Sequence, residues 1–137
     1  MTNDEEHLRL LSTFHLVLGG ILAFFSCIPF IHVGMGIAMM SGALDQGRNA
    51  PPPLFGLIFV VMGGTFILLG WTVAVLLLMA GKRLRKRQSY TFCFVVAAIS
   101  CAFMPMGTVL GVFTILVLNR PTVKAMFSPQ PAAPPMP

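Results

Sequence analysis

Three long apolar stretches dominate the chain: Leu8 to Ala43, Leu54 to Gly81 and Tyr90 to Leu118. A polar, proline-rich turn separates the first two, and a basic block separates the last two. Each stretch exceeds the roughly 20 residues that carry a helix across a bilayer core. The middle one has no internal proline and predicts a single tilted helix that ends at the basic block. The first has 36 residues, about 54 Å as one helix against a hydrocarbon core of ~30 Å, so it must break or protrude. Pro29, followed by Gly34 and Gly36, is the natural break, because proline removes a backbone donor and clashes with the preceding turn. Pro105 and Gly107 repeat the problem within the third stretch, where a kink or a re-entrant turn is expected. A hairpin there would leave two arms of about 13 to 15 residues, each reaching ~20 Å, too short for both to span an unthinned bilayer.

The expected fold class is therefore all-α integral membrane: a bundle of three to four transmembrane helices with proline breaks near Pro29 and Pro105. Residues 1–127 form a single transmembrane domain in this reading. The segment Asp45 to Pro53 carries turn formers and three prolines, and its backbone needs water, so it is expected as an aqueous loop. Residues 128–137 hold five prolines and are expected as a disordered tail. The apolar run beginning at Leu8 is longer than the core of a cleaved signal peptide and is expected to be retained.

Composition sharpens the class. The chain is 56% hydrophobic and 9% charged, with a mean hydropathy of +0.86, beyond what a water-soluble fold of 137 residues could cover. The net charge of +5 is segregated. Asp4, Glu5 and Glu6 precede the first apolar stretch, and Lys82, Arg83, Arg85, Lys86 and Arg87 form one loop between two others. Flanked by apolar spans, that block is expected as a membrane-surface anchor on the cytoplasmic side and not as a nucleic-acid site. With the block inside, a single first crossing places the N-terminus in the cytoplasm, and a hairpin at Pro29 places it outside. A hairpin at Pro105 brings Arg120 and Lys124 inside, leaving Arg48 alone among nine basic residues outside. Three and four crossings both remain open. Thr13 to Ile21 and Thr91 to Ile99 form a faint internal repeat whose two copies, if real, start on the same side. Tyr90 suits an interfacial aromatic belt, whereas Trp71 sits well inside its helix.

Small residues recur at helix-packing intervals: Gly19, Ala23 and Cys27; Gly34, Ala38 and Gly42; Gly107 and Gly111; and, at a spacing of seven, Gly56, Gly63 and Gly70. Such rows let backbones approach closely where water supplies no drive between helices. They serve either the chain's own bundle or docking on other subunits and self-association.

Catalytic chemistry has little to stand on. Every acid is in the N-terminal turn or at Asp45, which removes the buried carboxylates of proton and cation relays. No nucleophile triad, phosphate-binding glycine loop or paired carboxylate is recognisable, so the chain is not expected to be an enzyme. His15 and His32 would stand about 25 Å apart on one helix, which disfavours haem within one subunit. Met104, Met106, Met35, Met39 and Met40, with Cys27, Cys93 and Cys101, are soft donors that fit apolar filler better than copper. No metal, cofactor or disulfide is expected.

Pro105-Met106-Gly107-Thr108-Val109-Leu110-Gly111, followed by Arg120-Pro121-Thr122-Val123-Lys124-Ala125-Met126-Phe127, resembles the ending of a group of small uncharacterised bacterial polytopic membrane proteins. The resemblance implies a bacterial inner membrane location and carries no activity with it. The function expected is a small structural or accessory subunit of a membrane protein complex, whose partners are lipid and other subunits. The alternative is a small oligomeric channel or transporter for a neutral or weakly charged solute, with the breaks near Pro29 and Pro105 lining the path.

Overall fold

Helix follows hydropathy along almost the whole chain. The computed structural model describes residues 3–44, 52–103 and 105–128. It contains α1 (Asn3–Phe25), α2 (Phe30–Met40), α3 (Pro53–Lys86), α4 (Tyr90–Ser100), α5 (Met106–Leu118) and α6 (Pro121–Phe127), with no strand among the described residues. The greater part of the Asp45 to Pro53 loop, the tail beyond Ser128 and Met104 lie outside the described residues.

Both proline breaks begin four residues upstream, at the carbonyl that the proline cannot serve. Pro29 orphans Phe25 O, and α1 ends at Phe25. The tightened turn repairs the loss, because the Ile28 amide donates to Phe25 O at 3.0 Å and the Phe30 amide to Cys27 O at 3.1 Å. The helix direction survives, so α1 and α2 run on as one 38-residue apolar segment, Asn3–Met40, and not as a hairpin. Pro105 orphans Cys101 O, where the Thr108 hydroxyl donates instead, at 2.8 Å. There the chain does reverse. Gly111 lies against Ala97 and Cys101, and Gly107 against Ser100, so α4 and α5 form an antiparallel hairpin with arms of 11 and 13 residues.

The basic block is not a loop. Lysine, arginine and leucine are good helix formers, and cations suit the negative end of a helix, so α3 continues through Lys82, Arg83, Arg85 and Lys86 over 34 residues. It ends in a Schellman turn in which the Gln88 amide donates to Arg83 O at 3.0 Å and the Arg87 amide to Leu84 O at 3.2 Å. Arg87 occupies the left-handed position that glycine usually takes, with φ 54°, a cost of about 1–2 kcal/mol for a residue with a Cβ.

Where three or four crossings were expected, the described residues supply two helical segments long and apolar enough to cross a membrane, Asn3–Met40 and Pro53–Lys86. The count reaches three if α5 and α6, which meet at 84°, are taken as one span.

The chain divides into two units, Met1–Leu18 with Leu77–Pro137, and Gly19–Leu76. In the first, Leu8, Leu11, Leu84, Cys93, Val117, Leu118 and Val123 form the core, flanked by Tyr90, Phe94, Met126 and Phe127. In the second, the glycine row of α3 receives α2 and the turn that precedes it: Gly56 meets Gly36, Gly63 meets Pro29, His32 and Val33, and Gly70 meets Ser26.

Candidate functional site

The charged end of the first unit gathers segments remote in sequence. Asp4, in the first turn of α1, accepts from Arg120 Nη1 at 2.8 Å and from the Thr122 hydroxyl at 2.6 Å. Glu5 pairs with Arg87. Arg83 donates to Ser89 Oγ at 2.9 Å and lies 4.5 Å from the Phe92 ring centroid. Lys124 Nζ sits 6.0 Å from the Tyr90 ring centroid, and Tyr90 meets Phe127 edge to face at 5.8 Å. The N-terminal turn, the end of α3 and α6 thus share one polar end, together with eight of the nine basic residues: Arg9, Lys82, Arg83, Arg85, Lys86, Arg87, Arg120 and Lys124.

A cleft of about 330 Å³ opens at this end, lined by Glu5, Leu8, Arg9, Leu84, Arg85 and Arg87. Leu8 and Leu84 close it from beneath but are nearly and fully buried, so the surface open in it belongs to the charged side chains. Its rim carries three guanidinium groups against one carboxylate. The sequence offered the basic block but not the cleft, because Arg9 lies 76 positions before Arg85 in the chain and no local pattern links them.

Deeper in the same unit lies a set of buried polar side chains. Ser12 Oγ donates to Gly81 O at 2.7 Å, joining α1 to α3, where Gly81 leaves no room for a Cβ beside Leu16. Ser100 and Thr114 return their hydroxyl hydrogen bonds to their own helices, to Val96 O and Leu110 O. His15 is fully buried, with Nδ1 2.9 Å from Leu11 O, and its Nε2 has no partner among the described residues. His32 belongs to the other unit and stacks on Phe59 at 6.1 Å. Among the described residues no group of three or more His, Cys, Asp or Glu side chains converges on a point where a metal ion could sit. Cys27 is exposed, Cys101 half-buried and Cys93 buried, all as free thiols.

The small-residue rows separate into two kinds. Gly36, Gly56, Gly63, Gly70, Gly107 and Gly111 meet other parts of this chain at distances that exclude a Cβ. Gly19 is buried and Ala23 and Ala38 are half-buried. Gly20, Gly34 and Gly64 have no atom within 4 Å of where a Cβ would stand. Around the open glycines, large apolar side chains such as Phe24, Ile31 and Leu68 are exposed.

Comparison with family models, with curated proteins and with solved structures finds no match to this chain.

Proposed function

We propose that the chain is a multi-pass protein of the bacterial inner membrane that acts as a small structural or accessory subunit and catalyses nothing by itself. The observation that carries this reading is the pairing of an exposed apolar exterior with open glycine positions at Gly20, Gly34 and Gly64. A notch flanked by large apolar side chains accepts a neighbouring helix at short range, which is how membrane helices associate. The interior glycines are already engaged by the chain's own helices, whereas these three are open to a partner.

The charge distribution supports a topology. Eight of nine basic residues lie at the end that also holds the N-terminal turn and α6, and the positive-inside rule assigns that end to the cytoplasm. α1–α2 and α3 are then two full crossings with Arg48 outside. The α4–α5 hairpin, whose arms rise only about 17 and 20 Å, enters from the cytoplasmic face and returns to it, with α6 at the surface.

Gentle detergent extraction from the native membrane, followed by size separation and identification of co-migrating proteins, tests the reading. Migration in a larger assembly with defined partners is expected. Migration alone or as a homo-oligomer overturns the accessory role. In that case the second reading, an oligomeric channel or transporter, gains ground. It is favoured by the re-entrant shape of the α4–α5 hairpin, since irregular backbone at membrane depth is tolerated where it lines a water-filled path, and solute flux into liposomes tests it.

A further inference from the structure

The arginines of the charged end are not equivalent. Arg120, Arg87 and Arg83 each have a protein partner, in Asp4, Glu5 and Ser89 with Phe92. Arg9 and Arg85 have no side-chain partner among the described residues, and both face the cleft of about 330 Å³ whose floor is Leu8 and Leu84. Counting Arg87 and Glu5, the lining carries three positive groups and one negative, a formal +2. Its volume lies at the lower end of the range for small-molecule sites.

The geometry points to this cleft as a binding site for a phosphate ester, with Arg9 and Arg85 as the anion-holding residues. Guanidinium groups suit the chemistry because two parallel N–H donors match two phosphate oxygens. Arg87 reinforces the site while Glu5 fixes it to the wall, so that the pair supplies position and Arg9 with Arg85 supply the unmatched charge. The source of the phosphate follows from the surroundings: exposed arginines at the basic end of long apolar helices stand where anionic lipid headgroups gather. The lipid as source rests on the membrane placement proposed above; the phosphate chemistry does not.

The full chain in a neutral detergent, examined by native mass spectrometry, tests the site with four probes: phosphatidylglycerol, phosphatidylcholine with the same acyl chains, glycerol 3-phosphate and inorganic phosphate. One phosphatidylglycerol per chain is expected to be held about tenfold more tightly than phosphatidylcholine, whose quaternary ammonium meets the same arginines. The double variant R9Q/R85Q is expected to lose that preference, while K82Q/K86Q, which removes the same charge outside the cleft, keeps it within about twofold. Equal loss in the two variants, or no preference in the unmodified chain, overturns the site; the second comparison needs no variant to fold. Glycerol 3-phosphate or inorganic phosphate binding as tightly as phosphatidylglycerol upholds the phosphate chemistry and overturns the lipid as its source. Resistance of the chain to alkaline extraction from native membranes is read separately, so failure of the membrane placement is not confused with failure of the cleft.

Discussion

Gly34 and Gly36 lie two residues apart on α2, with helical backbone at both, and should respond to the same substitution with opposite signs. An alanine Cβ at Gly36 would stand 2.6 Å from Gly56 O, 2.8 Å from Val60 Cγ2 and 3.0 Å from Phe59 Cβ. Two of those obstructions, a backbone oxygen and a β-carbon, cannot swing aside, so α2 and α3 must separate. Overpacking of this kind costs about 1–3 kcal/mol, and the better helix propensity of alanine returns about 1 kcal/mol. Gly36→Ala is therefore expected to destabilise by up to about 2 kcal/mol. Gly34 meets nothing within 4 Å, so Gly34→Ala keeps only the propensity gain, about 1 kcal/mol in the stabilising direction. A reciprocal argument applies at Gly56, where a Cβ would stand 2.7 Å from Gly36 O and 2.8 Å from Met40 Cγ. Once one alanine has parted the helices, the second finds part of its space made, and the double variant Gly36→Ala/Gly56→Ala should cost less than the sum of the singles. Reversible unfolding in mixed micelles, followed by helical circular dichroism over a titration of denaturing detergent, measures the four variants against the unmodified chain. Equal shifts for Gly34→Ala and Gly36→Ala would refute the assignment of the Gly36–Gly56 contact, because propensity alone would then account for both.

Asp4→Ala removes the acceptor shared by Arg120 and Thr122, so α6 should loosen and tryptic cleavage after Lys124 should run several-fold faster; an unchanged rate means that Val123 and Phe127 alone hold α6. Ser12→Ala deletes the 2.7 Å hydrogen bond to Gly81 O and is expected to cost about 1 kcal/mol in the same unfolding titration, since the carbonyl keeps its own helix. In the proposed topology, a cysteine introduced at Ser128 in a chain lacking the native three should react with an impermeant reagent only when the cytoplasmic face is open, and labelling of intact cells would overturn that topology.

The positions of the helix breaks were legible in the chain because proline acts through one fixed carbonyl, four residues upstream, whatever surrounds it. The direction of the chain beyond each break was not. Pro29 and Pro105 present the same local defect, yet the chain runs straight on at one and reverses at the other. The difference lies in the partners: tightened turn hydrogen bonds repair Phe25 O within the helix line, whereas Thr108 reaches back to Cys101 O across a reversal seated by Gly107 and Gly111. The basic block was legible as charge and misjudged as loop, since the apolar periodicity stops at Gly81 while helix propensity does not. The glycine row at a spacing of seven was visible, but whether its face meets this chain or another depends on register with α1 and α2, which no single segment encodes. The cleft was the least accessible to sequence, being made by two helix ends that only tertiary folding brings together.

The division of the chain into units has a temporal side. Gly19–Leu76 is one continuous stretch, so every group it needs has emerged once Leu76 has been synthesised, and its helices can close on each other at once. The other unit takes its first residues from the start of the chain and the rest from beyond Leu77. Glu5 waits across 82 positions for Arg87, and Asp4 across 116 for Arg120. Loop closure over such separations grows only slowly in cost, but it fixes an order, with local contacts first and distant ones last. A chain arrested soon after α3 would hold its glycine seam while Leu8, Leu11 and Leu84 stood without their covering hairpin.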